Sequence, residues 1–328
     1  MRKPDDVPVS NGGPGRRPEL MAPAGEPDAA YAAFHYGADA VYLGLRQFSA
    51  RAEAVNFSLD ELGEVTAFAH AATPRRKVYV ALNTLVANRE LDAIVDTLAA
   101  VSDAGVDALI VQDLGTARLA RECFPELRLH ASTQMAIHNL AGARALRDLA
   151  FRRVTLAREL TLEEIREISA GCGMEAEVFV HGALCYSYSG LCLYSALLRG
   201  RSGNCGRCTY PCRDRFDSGS GESGYPYSMK DLALPGEIRE LGAAGVASVK
   251  IEGRKKSPLY VAAVVNYYRR VLDGTLQGKD AGELEAQMKT VFSRPWTKLF
   301  LKSSRSGDVV DRDLVGHRGV LIGTVETV

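Results

Sequence analysis

The chain has 328 residues, 46% of them hydrophobic and 24% charged, an ordinary globular composition with enough apolar material for a sizeable core. Forty basic residues balance forty acidic ones, so overall charge argues neither for nucleic acid nor for a membrane. No apolar run is long enough to span a bilayer and no secretory apolar stretch opens the chain, which points to the cytoplasm, where thiols stay reduced.

Residues 1–18 (MRKPDDVPVSNGGPGRRP) are polar and rich in Pro and Gly, and read as a disordered leader. From Glu19 onward, short β-type runs alternate with helical patterns. The runs are ELMAPAG (19–25), DAVYLG (39–44), KVYVALNT (77–84), VDALIVQD (106–113), LRLHASTQ (127–134), RVTLARE (153–159), AEVFVHG (176–182) and VASVKIEG (246–253). Between them lie amphipathic stretches over 90–105, 115–123 and 161–172, the last opened by a capping-box pair, Thr161 and Glu164. Pro258 stands in the first turn of a final helix over 260–274. Eight strands with helices between them, over 19–275, predict a (β/α)8 TIM-barrel-like domain. A doubly wound open sheet is the alternative, but no G-x-G-x-x-G follows any strand.

The alternation breaks once, over 183–227, between strands seven and eight. A barrel places such an insertion at its C-terminal face, where catalytic groups sit. Residues 276–290 read as a polar link, and 291–328 as the start of a small β-rich region. The last run, GVLIGTVETV (319–328), breaks off in mid-alternation, so the protein is expected to continue past Val328.

The insertion carries Cys185, Cys192, Cys208 and Cys212 in a C-x6-C-x15-C-x3-C spacing, with Cys205 between the second and third. Thiols this dense in a reducing compartment point to a metal or cluster. Structural zinc favours paired C-x2-C knuckles, and Cys205-GR-Cys208 supplies one. The wider intervals suit ligands gathered around an iron–sulfur cluster; zinc and inert buried thiols stay open as alternatives. Cys123 and Cys172 lie at helix ends and read as small hydrophobes.

Polar residues close most strands: Asn83, Asp113, His130, Ser132, Gln134, Arg158, Glu159, His181, Lys250, Glu252 and Arg254. On a barrel these converge on one mouth. Each by itself could equally be a loop anchor; together they predict a ligand site. Lys250 and Glu252, two apart in an apolar strand, both point inward. With Arg254 they could hold an anionic small molecule or move a proton. His181 reads as an acid/base or a tuner of the cysteine site, against a plain hydrogen-bonding histidine. Arg199, Arg201, Arg207, Arg213 and Arg215 stand against one acid, Asp214, among interleaved tyrosines, a mixture that grips phosphates and stacks bases. The alternative is a solvated rim that offsets thiolate charge. The hydrolase signatures H-E-x-x-H and G-x-S-x-G are absent.

Several segments together resemble the collagenase-like peptidase family U32: ELMAPAG, HASTQM (130–135), HGALCYSYSGLCLYS (181–195), NCGRCTYPCR (204–213), YSMKDL (227–232) and VKIEGRKKSP (249–258). Two departures stand out. Cys205 takes a place where the family more often has a basic or amide residue, which keeps zinc or another ligand set open. The chain also ends inside GHRGVLIGTV (316–325), which resembles the post-barrel region of longer members. The resemblance implies a 4Fe-4S cluster on Cys185, Cys192, Cys208 and Cys212. It also implies C5 hydroxylation of a pyrimidine in ribosomal or transfer RNA, with prephenate as a small anionic co-substrate and iron–sulfur assembly proteins as partners. The post-barrel segment leans toward the ribosomal RNA branch. On this expectation Glu252, Lys250, His130, Gln134, Arg158 and His181 are the catalytic set, and the five arginines bind RNA. The rivals are a peptidase, as the family label has it, and a non-catalytic cluster-carrying accessory factor.

Overall fold

The computed structural model describes residues 17–319, apart from residues 220, 222, 277, 293 and 306. The leader expected at 1–18 therefore lies, but for its last two residues, outside the described residues, and so does nearly all of the final run at 319–328. All eight predicted strands form: β1 (Glu19–Pro23), β2 (Ala40–Leu43), β3 (Lys77–Leu82), β4 (Ala108–Val111), β5 (Leu129–Ala131), β6 (Arg153–Thr155), β7 (Glu175–Ala183) and β8 (Ser248–Ile251). Each pairs in parallel with the next. β8 bonds both β7 (Val249 opposite Val178) and β1 (Val249 opposite Leu20), so the barrel is closed.

Helices α1 (Pro27–His35), α2 (Leu59–Ala71), α3 (Leu91–Asp103), α4 (Leu114–Cys123), α5 (Leu140–Asp148) and α6 (Leu162–Gly171) return the chain outside the strands. Their starts are chemically marked. Ser58 and Thr161 close capping boxes with Glu61 and Glu164, and Asp113 and Asn139 accept from Thr116 and Gly142 backbone N–H groups. Past β7 come α7 (Tyr194–Arg199), α8 (Ile238–Ala243) and, after β8, α9 (Pro258–Asp273), capped by Ser257 with Pro258 in its first turn.

The barrel interior is divided. Strands β1–β4 line it with Met21, Ala40, Tyr42, Tyr79, Ala81, Ala108 and Ile110. Strands β5–β8 supply buried polar groups: His130, Arg153, Thr155, Glu177 and Lys250. These are satisfied mostly among themselves. Glu177 accepts from Thr155 (2.9 Å), Ser248 (3.0 Å), Lys250 (3.0 Å) and Arg153 (3.3 Å). Arg153 also reaches Glu19 and Glu175 at 2.6 Å, and Lys77 meets Glu19 at 2.6 Å. The network sits at the starts of β1, β3, β6 and β7, the end of a barrel that serves stability.

The polar link expected at 276–290 is instead helix α10 (Gly278–Val291). Leu284 and Met288, four apart, put one buried stripe beside α9, which a reading by overall polarity misses. Beyond it the chain stays on the barrel rather than leaving at once. Strand Trp296–Thr297 pairs with strand Asp231–Ala233, itself antiparallel to the end of β7, and Leu299 and Leu301 are buried.

Candidate functional site

Glu252 follows β8, and its carboxylate meets Arg51 from the β2–α2 loop at 3.2 Å and Arg158 from just past β6 at 3.5 Å. Arg254 stands beside them, 4% exposed, donating to Ser49 Oγ at 2.9 Å with its guanidinium carbon 5.7 Å from the Tyr42 ring centre. No carboxylate among the described residues is within ion-pair distance of Arg254. Two guanidiniums thus share one carboxylate and a third stands beside them without one, an excess of two positive charges in a largely buried mouth. Burial would raise the Glu252 pKa, but Arg51, Arg158 and Arg254 outweigh it and bring it down to about 2. Burial lowers Arg254 to about 10, although Tyr42 and Glu252 pull the other way. Glu252 is therefore ionised at any working pH. It orients guanidiniums and cannot serve as a proton donor.

The other expected mouth residues separate by environment. Lys250 points inward as alternation requires, but it reaches down to Glu177 and lies 4.2 Å from the Tyr42 ring centre, so its charge is neutralised inside the barrel. His130 is 5% exposed with its ring 4.8 Å from Tyr79; burial, then Arg153 and Lys250, push its pKa well below the ordinary range. Its Nδ1 has no partner, and neither does the buried Oε1 of Gln112, just past the neighbouring β4. His181 leaves the mouth altogether. Pairing between β7 and β8 shifts register at Lys250/Ile251, and the ring packs against Tyr260, Tyr268 and Trp296. Burial lowers its pKa to about 3, which keeps the ring neutral among these aromatic side chains. Gln134 sits in a turn after β5 whose carbonyl supports the cysteine loop. Asn83, Asp113 and Glu159 anchor backbone: Asn83 receives Ala50 N–H, Asp113 caps α4, and Glu159 receives Ser189 N–H.

The cysteine loop lies over this mouth. Gly190 (φ +76°) touches Gln134, where an added Cβ would stand 2.1 Å from the Gln134 carbonyl oxygen. Gly206 (φ +76°) rests on the β2–α2 loop, where a Cβ would stand 2.4 Å from the Ser49 oxygen. Within the loop, Cys185 and Cys212 each feel the charge of Cys192 and Cys208, and Cys212 feels Cys185; Cys205 perturbs neither. Cys185, Cys192, Cys208 and Cys212 are thus within electrostatic range of one another through Cys185 and Cys212. Cys185 keeps exposed surface, yet burial of its sulfur raises its pKa, and burial, then Cys185, lifts Cys212 to about 11. The Tyr210 N–H donates to Cys208 Sγ at 3.4 Å, and Tyr210 itself holds φ +56°, folding the C-x3-C turn back so that Pro211 can start the next one. Among the described residues no three His, Cys, Asp or Glu side chains meet closely enough to hold one metal ion.

Of the five arginines, Arg199, Arg201, Arg207 and Arg215 are exposed. Arg213 is not free to meet RNA. It is half-buried and donates to Ser228 Oγ (2.7 Å), Met229 O (2.6 Å) and Leu184 O (3.3 Å). Arg51 is the residue that periodicity could not reveal. It lies in a loop eight residues past β2, and only the pairing with Glu252 marks it.

The family model for peptidase family U32 matches residues 25–311. The chain belongs to that family. It is 38% identical to tRNA hydroxylation protein P1 of Bacillus subtilis, over 79% of this chain and 64% of that protein. It is 39% identical to the uncharacterized protease MJ0090 of Methanocaldococcus jannaschii, over 85% and 71%. It is 38% identical to the 23S rRNA 5-hydroxycytidine C2501 synthase of Escherichia coli, over 94% and 49%. This U32 chain thus spans between about half and seven tenths of these relatives' lengths.

Proposed function

We propose that the protein is an iron–sulfur-dependent, RNA-modifying oxidoreductase that hydroxylates C5 of a pyrimidine in ribosomal or transfer RNA. The observation that supports this reading is a loop, seated on a mouth with excess positive charge, whose Cys185, Cys192, Cys208 and Cys212 lie in electrostatic range of one another. Similarity to proteins named for hydroxylation of tRNA and rRNA supplies the reaction class. A 4Fe-4S cluster on those cysteines would supply one-electron redox chemistry. Arg254, with Arg51 and Arg158, would hold a small dicarboxylate co-substrate such as prephenate. The exposed Arg199, Arg201, Arg207 and Arg215 would hold RNA beside the loop, with the exposed Tyr186, Tyr188 and Tyr210 as stacking surfaces. Iron–sulfur assembly proteins would load the cysteines, and an RNA substrate would put the protein in the cytoplasm. No helix among the described residues is long and apolar enough to cross a membrane.

The peptidase reading finds no support in the geometry. Ser189, Glu159 and His138 form one polar group: Glu159 accepts from Ser189 Oγ at 3.2 Å, and His138 Nε2 lies 3.3 Å from it without hydrogen-bond alignment. The carboxylate, not the imidazole, accepts from the hydroxyl, so the Ser–His pairing of a serine peptidase is not formed there. The test is anaerobic purification with iron, sulfide and zinc analysis, followed by mass spectrometry of nucleosides from cells lacking the gene. About four irons and four sulfides per chain, with loss of one hydroxylated pyrimidine, are expected. One zinc and no sulfide, with the nucleosides unchanged, overturns the reading.

A further inference from the structure

Two guanidiniums bracket the segment that delivers the first cysteine. Arg158, from the mouth, donates to Ala183 O at 2.7 Å while its guanidinium carbon lies 3.9 Å from the Phe179 ring centre. Arg213, from the turn after Cys212, donates to Leu184 O at 3.3 Å and is locked at its other end to Ser228 Oγ and Met229 O. The two carbonyls they hold belong to the residues immediately before Cys185. Both arginines are in electrostatic range of its sulfur, and Arg213 is also in range of Cys212. Four thiolates in one partly buried loop concentrate negative charge, and these are the two cations held by fixed hydrogen bonds on its inner side. The surface arginines are screened by water more than these partly buried ones are.

We propose that Arg158 and Arg213 are positioning residues that fix Cys185 and set the charge environment, and hence the reduction potential, of the four-cysteine centre. The proposal rests on the cluster reading above. Reduction adds negative charge beside the thiolates, so a fixed neighbouring cation favours the reduced form and its removal lowers the potential.

The experiment compares the parent protein with Arg213→Gln, Arg213→Lys and Arg158→Gln. All are purified anaerobically, checked for folding by far-ultraviolet circular dichroism, assayed for iron and sulfide, and titrated with a redox mediator series read by visible absorbance. Each glutamine variant is expected to shift the reduced-to-oxidised ratio at a fixed potential toward the oxidised form by about tenfold, which is about 59 mV for one electron. Arg213→Lys should restore most of it. A folded glutamine variant that binds no iron, with iron restored in Arg213→Lys, reads the same charge requirement as loading. Equal loading and equal potential in all four proteins overturn the proposal. So does loss of iron in Arg213→Lys as well as Arg213→Gln, which leaves Arg213 a purely structural clamp. Absence of iron and sulfide from the parent protein itself overturns the cluster reading first.

Discussion

Arg254 shows how a single residue separates stability from function. A buried guanidinium with one neutral hydrogen-bond partner costs free energy until an anion arrives. Arg254→Met is therefore expected to leave the ligand-free protein equally or more stable, while abolishing the rise in melting temperature that a dicarboxylate gives the parent protein in a thermal-shift titration. Glu252→Gln should do the reverse. It removes the carboxylate between Arg51 and Arg158, leaves three cations facing one another, and should cost about 3–5 kcal/mol in chemical denaturation. The buried histidines fix the acid limb of stability. His181 has a folded pKa of about 3 against an ordinary value of 6.5, so the unfolded chain binds the extra proton between those values. Its contribution is fully present above pH 6.5 and is lost as pH falls toward 3. Glu19 and Glu252, both at about 2 against 4.5, add a second loss below pH 4.5. His181→Phe should flatten the first part of that limb, between pH 6.5 and 4.5, and leave the second part in place.

Among elements, the cysteine loop is the one whose seating can be broken without breaking the barrel. Gly190 needs both a positive φ and the absence of a Cβ against Gln134. Gly190→Ala should lift the loop at a cost of about 1–3 kcal/mol. Limited proteolysis should then cut within 184–215 while far-ultraviolet circular dichroism stays unchanged; a loop as resistant as the parent's would refute the seating. The regular elements were legible because each carries its own signal: period-two apolar strands, and Thr161 with Glu164 at the head of α6. Helix α10 was not, because only two of its apolar residues, Leu284 and Met288, reach the core and the rest of its surface is polar. The register shift that turns His181 out of the mouth has no mark in the sequence at all, since a bulge changes facing without changing composition.

Over the whole molecule, net charge near zero conceals a directed distribution. At the mouth three guanidiniums face a single carboxylate, the balanced ionic network occupies the opposite end, and exposed arginines rim the cysteine loop. If Arg199, Arg201, Arg207 and Arg215 each meet one phosphate of single-stranded RNA, log affinity should fall with log salt at a slope of about −3. Arg207→Ala should lessen that slope by about 0.7, measured by fluorescence anisotropy across a salt series. A slope unchanged by this substitution would remove the loop from the RNA surface.

The chain's own order of residues determined the barrel and the place of the insertion after β7, because strand period and helix caps are local properties. Tertiary structure alone decided which polar residues serve the mouth. Lys250, His130, His181 and Arg213 all bear the right chemistry, yet burial and partners draw each of them elsewhere: Lys250 to Glu177, His130 into the lumen, His181 beneath α9 and Arg213 under the loop. Arg51 enters only because the β2–α2 loop folds over Glu252. Charge and hydrogen bonding act across space between residues as far apart in the chain as Arg51 and Glu252, 201 positions, and no spacing along the chain records that distance.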